Sequence, residues 1–542
     1  MMGIDKTGFV RIAANDRNKL SRRQLLQTAG LLGLTVGAIR ISGGLSGPAM
    51  AQEVKSGGSL TIGVARPAQT LDPLRIADEG GIPVVGSFGQ YLAWVDQDYV
   101  LSPMLAVSWS SDETGKVWTF KLRDDVTFND GRKMTARDVA YTINLHADPE
   151  VGSNALSVFK DQVEKGAAVA VDDTTLEVHL QVPNGNFPYM LSSDNYNLII
   201  LPEGYQPGDF EKNFVATGPW TVSRSDREGI TFTRRSDYWD PKTLPHLDEV
   251  TFNYIDSPQA RIIALMGGSV DALNNYSAVD AVSMIGNTEI TQFSFPTTFF
   301  RIIGMGTDAA PFNDKRVRRA VALLVDRSVL VDGALAGAGA IANDSPFFPQ
   351  YASSSAAVPQ RERDVAAARA LLAEAGYADG IEATLTTFTG VDLEDAAQLV
   401  QAQLAEGGIN VKLNIMDEAT YYGDLKPGTS PFLDSQMTMC EFTSRATPNV
   451  VLNSVYTSDG VYNMMRYANA EVDQLVTDYI GASDLERQRE ISGKLEALLL
   501  EETPAVIPYV SYLNSAWRNH VQGFRVNPSF MVELHKISLS NI

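Results

Sequence analysis

"IEATLTTFTGVDLEDAAQLVQAQLAEGGINVKLNI", residues 381–415, spells a strand, a helix and a second strand in one run. "IEATLTTF" reads as a strand, and "DAAQLVQAQLAEGG" reads as a helix closed by the pair Gly407-Gly408, the residue type that most easily ends a helix. "INVKLNI" sets Ile409, Val411, Leu413 and Ile415 against Asn410, Lys412 and Asn414, the period-two pattern of a strand. With connections this short the three make a βαβ unit, so this half of the chain holds a parallel sheet.

Working outward, strand and helix signals keep alternating, which argues for mixed α/β layers. Leu60, Ile62 and Val64 alternate with Thr61 and Gly63 and run toward the turn-forming Leu71-Asp72-Pro73. Val117 to Arg123 is a second strand, with Trp118, Phe120 and Leu122 on one face, and Asn129-Asp130-Gly131 reads as a tight turn. Thr135 and Asp138 form a capping signature ahead of Val139, Tyr141 and Ile143. A long helix is expected from Asp314, with Val317, Val321, Leu324 and Val325 on one stripe and Gly333 near its end. Another, "LERQREISGKLEALLLEE", should stop at Thr503-Pro504, while "GALAGAGAIA" (333–342) and "SSSAA" look like loops.

The chain carries 44 Lys/Arg against 65 Asp/Glu, a formal net charge of −21. That balance keeps a protein soluble and repels nucleic acid and anionic membrane surfaces. The single cysteine, Cys440, excludes an intramolecular disulfide. Near the start, "SRRQLLQTAGLLGLTVGAIR" (21–40) places Arg22-Arg23 ahead of an uncharged run diluted by Gln24, Gln27, Thr28 and three glycines, which falls short of the about 20 apolar residues a spanning helix needs. Ala49-Met50-Ala51 follows as an A-x-A cleavage pattern. The segment resembles the twin-arginine export signal, which implies a protein exported already folded, cut near Ala51, and therefore periplasmic. The remainder is long enough for two or three domains, because single cores stop growing near roughly 250–300 residues.

Motifs of catalysis are missing from the sequence. Gly337, Gly339 and Ala342 spell G-x-G-x-x-A, but after a helix, whereas the dinucleotide fingerprint follows a strand, so coincidence in an Ala/Gly-rich loop explains it. There is no G-x-S-x-G, Walker loop, C-x-x-C or H-E-x-x-H. His146, His179, His246, His520 and His535 are scattered, without metal-ligand spacing. The expectation is a non-enzyme with no cofactor and no bound metal.

"LSPMLAVSWSSDETGKVWTFKLRDDVTFNDGRKMTARDVAYTIN" (101–144) resembles the signature region of the dipeptide/oligopeptide class, family 5, of extracytoplasmic solute-binding proteins, which serve ABC importers. "ATGPWTV", "RRSDYW", "APFNDKRVRRAVALLVDRSVLVDGALAGAG" and "TPAVIPYV" match the same family in the same order, across nearly all of the chain after residue 51. The resemblance implies a type II periplasmic-binding-protein clamshell, α/β, that closes on a solute and hands it to an inner-membrane permease without chemistry. Lobe I would comprise residues 52–295 plus 510–542, with a subdomain of about 92–200 inserted in it. Lobe II would be 296–509, joined by two crossing segments near Thr297 to Gly306 and Pro504 to Ser511. A monomer that binds no nucleic acid is expected. An exported enzyme or a chemosensory receptor on the same clamshell stays as the alternative, and metal uptake as a minor one.

In the family's peptide-binding members an aspartate following a tryptophan in a second-lobe loop holds the peptide's α-amino group. The corresponding stretch here is "TMCEFTSRATPNV" (438–450), with neither residue, and Ser444 or Arg445 stands where the acid would be. An arginine repels an ammonium and makes bidentate bonds to carboxylate or phosphate. This departure favours an opine-like conjugate, an acylated amino acid or another organic acid over a free-amine peptide. Arg445 pairing with Glu441, or facing water, is the bland alternative. The site candidates are thus Arg445, Phe442, Ser444 and Glu441, with Arg301 behind them because strand arginines usually face water; Tyr91 and Trp94 read as core.

Overall fold

The computed structural model describes residues 56–540 apart from Gln69 and Val391, and ahead of them only the backbone pairing of Gly3–Ile4 with Val10–Arg11. The twin-arginine and cleavage readings lie outside the described residues.

Ten strands form one continuous path. In chain order they are β1 (Ser59–Val64), β2 (Trp220–Asp226), β3 (Gly229–Arg234), β4 (Glu249–Tyr254), β5 (Ala272–Leu273), β6 (Ile290–Met305), β7 (Ile381–Phe388), β8 (Ile409–Met416), β9 (Met437–Phe442) and β10 (Tyr509–Arg518). Their lateral order is β2-β3-β4-β1-β5-β10-β6-β9-β7-β8. β7 and β8 run parallel in register from Ile381 opposite Ile409 to Phe388 opposite Met416, connected by helix α1 (Leu393–Glu406), as the βαβ pattern requires.

Two apolar cores share this sheet. One gathers Leu60, Ile62, Phe120, Phe232 and Phe252 with Leu513 and Trp517 from the far end of the chain. The other gathers Ile302, Val321, Leu385, Leu404, Met439 and Leu495. β6 serves both. Its 16 residues extend about 50 Å at the usual rise of a strand. Ile290 to Pro296 pair with β10 beside the first core, and Phe300 to Met305 pair with β9 inside the second. A register shift between Pro296 and Phe300 marks the crossing.

A separate four-stranded antiparallel sheet, Ala106–Ser111, Val117–Leu122, Thr175–His179 and Ala168–Asp172, packs into the first core through Trp118, Phe120 and Leu122. The helix Ala136–His146 that covers it starts at the capping box of Thr135 and Asp138. Tyr91 is fully buried in the same core, its hydroxyl donating to the carbonyl of Tyr196, and Trp94 packs against that core partly buried.

Two expectations change. The helix read from Asp314 is two helices, Lys315–Leu324 and Arg327–Leu335, because the Asp326 carboxylate accepts from the Val329 N–H and starts a new helix after the extended Val325. "GALAGAGAIA" is not all loop: Gly339–Ile341 pairs antiparallel with Tyr509 to Ser511 of β10.

The second crossing segment is pinned by charge. The Asp344 carboxylate accepts from Arg327 Nη2 at 2.7 Å, from Arg361 Nη1 at 2.9 Å and from the Ile507 N–H at 3.1 Å. Removing one partner of a buried ionic cluster costs about 3–5 kcal/mol, since it strands the remaining charges. Asp344→Ala is therefore expected to lower stability by about that amount, read as a fall in the urea midpoint for the second core.

Candidate functional site

A cavity of about 340 Å³ lies between the two cores. Its walls include Asn275, Tyr276 and Phe530 on the first-core side, Arg301, Asp392 and Glu441 on the second, and Thr297, Phe299 and Ser511 from the crossing strands. Strand periodicity puts these side chains there. Arg301 stands directly opposite Glu441 in the β6–β9 pair, and neighbours two residues away, Phe299 and Thr443, share its face. The intervening Phe300 and Ile302 are buried in the second core.

Arg301 is 2% exposed, so the expectation that it faces water is overturned. Its Nε donates to Asp392 Oδ1 at 3.1 Å and its Nη2 to the same oxygen, while Nη2 also lies 3.3 Å from Glu441 Oε2. Asp392 Oδ2 accepts from the Tyr509 hydroxyl at 2.7 Å. Asp392 also occupies the N-cap of α1, where the helix dipole favours a carboxylate. Burial works against the Arg301 charge, but Asp392 and Glu441 outweigh it and hold its pKa above the ordinary arginine value. Burial pushes the Glu441 carboxyl up, Arg301 opposes this, and Asp392 and Glu418 add to it. The Cys440 thiol is buried and its pKa raised, which leaves it protonated and unreactive.

The stretch 438–450 is not a loop throughout. Met437–Phe442 is strand β9, inside the sheet, and the loop begins at Thr443. Phe442 stacks on Phe300 with ring centroids 5.4 Å apart and lines a different cavity, so it does not reach the main one. Ser444 lines the main cavity, and its hydroxyl lies 2.6 Å from the Tyr99 hydroxyl and 2.9 Å from Thr298 Oγ1. Arg445 neither pairs with Glu441 nor stands free in the main cavity. Its Nη1 donates to the Asp194 carbonyl at 3.0 Å and its guanidinium sits over the Tyr196 ring, beside a smaller cavity of about 90 Å³. The candidate set is therefore split: Arg301, Glu441 and Ser444 share the main cavity, and Arg445 and Phe442 lie elsewhere. Asp392, Glu79 and Arg261 are cavity residues that no sequence pattern marks.

Two contacts bridge the cores, the first beside the main cavity and the second beside the smaller one. The first is the Tyr99–Ser444–Thr298 group with the Ala446 N–H, which donates to Asp194 Oδ1 at 2.8 Å. The second joins Asn184 and Asn186 to Asn449, with the Gly185 N–H donating to the Ile480 carbonyl at 2.8 Å. A Cβ on Gly185 would fall 2.0 Å from the Ala482 carbonyl oxygen, so this approach requires glycine.

Among the described residues no helix is long and apolar enough to cross a membrane, and no group of three or more His, Cys, Asp or Glu could hold a metal. The profile of the bacterial extracellular solute-binding proteins, family 5 (middle region), matches residues 100–439. The chain belongs to that family. This solute-binding protein is 26% identical over 474 residues to the glutathione-binding protein GsiB of Escherichia coli K12, covering 85% of this chain and 90% of that relative. Its two-lobed α/β fold is that of the ABC transporter substrate-binding protein CtaP from Listeria monocytogenes, with TM-score 0.78, 22% identity, and coverage of 90% of this chain and 100% of the other. The agropinic acid complex of the binding protein AgaA from A. tumefaciens R10 superposes with TM-score 0.71 at 24% identity, covering 90% and 99%.

Two outcomes test this geometry. Gly185→Ala pushes the second contact apart, so small-angle scattering should show a larger radius of gyration with unchanged far-ultraviolet circular dichroism. Asp194 provides the other. Burial raises its carboxyl from 3.8 to about 6 against the opposing charge of Arg445. A folded value above the unfolded one means the contribution is full below about pH 4 and lost as pH rises through about 6. By calorimetry, Asp194→Asn should match the parent at pH 4 and gain a melting-temperature advantage toward pH 7.

Proposed function

We propose that this protein is the substrate-binding component of an ABC importer, taking a small peptide-like, opine-like or organic-acid solute into the cavity between its cores and releasing it unchanged to an inner-membrane permease. The observation that carries the reading is the cavity itself. It is bounded by both cores, crossed by two connecting strands, and lined by charged side chains that bond chiefly to one another. A site of that kind orients a polar solute and holds it by lobe movement. Membership of the family and the glutathione and agropinic acid named for its relatives support a solute derived from amino acids.

The reading extends to the chain's organisation. Residues 52–295 with 510–542 form lobe I, 296–509 form lobe II, and 92–200 are the inserted part. The protein acts as a monomer outside the cytoplasm after cleavage near Ala51, its twin-arginine leader having carried it there folded. It performs no catalysis.

A thermal-shift screen tests this with peptides, glutathione, opines including agropinic acid, acylated amino acids, sugars and nickel–histidine. A solute at 100 times its dissociation constant stabilises the native state by about 2.7 kcal/mol. One class should raise the melting temperature and be recovered intact by mass spectrometry. No shift with any class, or conversion of the solute to a product, overturns the reading.

A further inference from the structure

The first contact between the cores contains a carboxylate with no counter-charge bonded to it. Asp194 lies in the turn after Ser192, on the first-core side, and is partly buried. Its Oδ1 accepts from the Ala446 N–H at 2.8 Å, across the junction, and among the described residues its Oδ2 accepts no hydrogen bond. Arg445 is the cation that acts on it. Yet Arg445 Nη1 donates to the backbone carbonyl of Asp194 at 3.0 Å, and the guanidinium lies over the Tyr196 ring, 5.6 Å from its centroid. A bridge held by charge would aim the fork of the guanidinium at the carboxylate. Here the fork is turned aside, so the carboxyl loses water at this junction without gaining an ion pair in exchange.

The other groups packed around Asp194 do not supply the missing charge. Tyr99, from the turn after Asp96, Tyr189, from the helix Phe187–Met190, and Tyr351, from the second core, are phenols that burial keeps protonated. Asp96 faces Tyr189 and is negative. Lys160, Asp161 and Asp459 line the smaller cavity together with Asp194 and Arg445, but all three are exposed, where salt screens them. Burial therefore outweighs Arg445 and the Ala446 N–H, and it raises the Asp194 carboxyl from 3.8 to about 6. Ala446 and Arg445 belong to the other side of the junction. Parting the cores removes them and returns the carboxylate to water, where its ordinary value applies.

We propose that this contact is an acid-sensitive latch: a proton taken up by Asp194 favours the form in which the two cores are joined, and its loss favours their separation. The proton goes to the open Oδ2, and Oδ1 keeps the Ala446 N–H. Because the joined form holds the proton more tightly than the parted one, the latch is fully set below about pH 4 and loosens as pH rises through about 6. The second contact, built from Asn184, Asn186 and Asn449, contains no group that titrates in this range and sets a pH-independent background. The latch is a property of the chain without solute. Its failure would leave the receptor reading standing, and failure to find a solute would leave the latch standing.

The test is single-molecule energy transfer on the purified full chain without solute, with dyes attached through Val171→Cys on the inserted sheet and Gln474→Cys on the second core. Both positions are exposed, whereas Cys440 is buried and escapes labelling. The ratio of joined to parted molecules should be about tenfold higher at pH 5 than at pH 7.5. In Asp194→Asn, which keeps an acceptor for the Ala446 N–H and carries no charge, the ratio should differ by less than twofold between the two pH values. Should that variant fail to fold, Asp194→Ser carries the same expectation. A change in the parent of less than threefold, a single population at both pH values, or a pH response that survives in the uncharged variant overturns the latch.

Discussion

Everything in this molecule that concerns a solute depends on β6 and β10 lying side by side. Because β6 is long enough to pair with β10 next to one core and with β9 inside the other, the two cores are joined by continuous backbone with a full set of ladder hydrogen bonds at either end. Between Pro296 and Phe300 the register shifts, and the ladder is interrupted where the cores part. Across the interruption side chains take over from the ladder: Thr297 Oγ1 donates to the Ser511 carbonyl and Thr298 Oγ1 to the Arg445 carbonyl, each at 2.7 Å. The stretch that borders the cavity is thus held by side-chain hydrogen bonds rather than by strand pairing.

The same strand also delivers the chemistry. Arg301 follows the crossing closely and stands opposite Glu441, and the N-terminus of α1 brings Asp392 against it. A buried guanidinium and carboxylate are poor value for stability, since desolvation offsets much of their attraction. Their worth here is positional. Asp392 bonds both Arg301 and Tyr509, one residue from each crossing strand, so the polar cluster ties both strands to the N-terminus of α1. It also leaves one guanidinium nitrogen, Nη1, buried without a hydrogen-bond partner among the described residues.

How much of this is legible in the sequence follows the range of each interaction. The βαβ unit and the Thr135–Asp138 cap are local and can be read from periodicity and spacing. The break at Asp326 is local too, but a capping aspartate inside a continuous apolar stripe is easily read as a polar residue on the outer face. The site is harder. Arg301 finds its carboxylate 91 residues away, and Arg445 finds a backbone carbonyl 251 residues away, an atom every residue possesses. The substitution at Arg445 can be seen in the sequence, yet the direction in which it points is decided by Asp194 and Tyr196, in a turn far away along the chain. Side-chain alternation around Arg301 carries a signal, because a strand that places Arg301 on the face opposite Phe300 and Ile302 also places it toward Glu441 once the pairing is known.

The contacts that bridge the cores are made mainly of amides, hydroxyls and backbone groups: Tyr99, Thr298 and Ser444 beside the main cavity, and Asn184, Asn186 and Asn449 beside the smaller one. Neutral hydrogen bonds are scarcely touched by ionic strength, whereas exposed ion pairs fade as the screening length shrinks. A receptor working outside the cytoplasm meets whatever salt the surroundings supply. Because most of the bridging groups are uncharged, and the Asp194 carboxylate among them is partly buried, osmotic change outside the cell has little hold on these contacts.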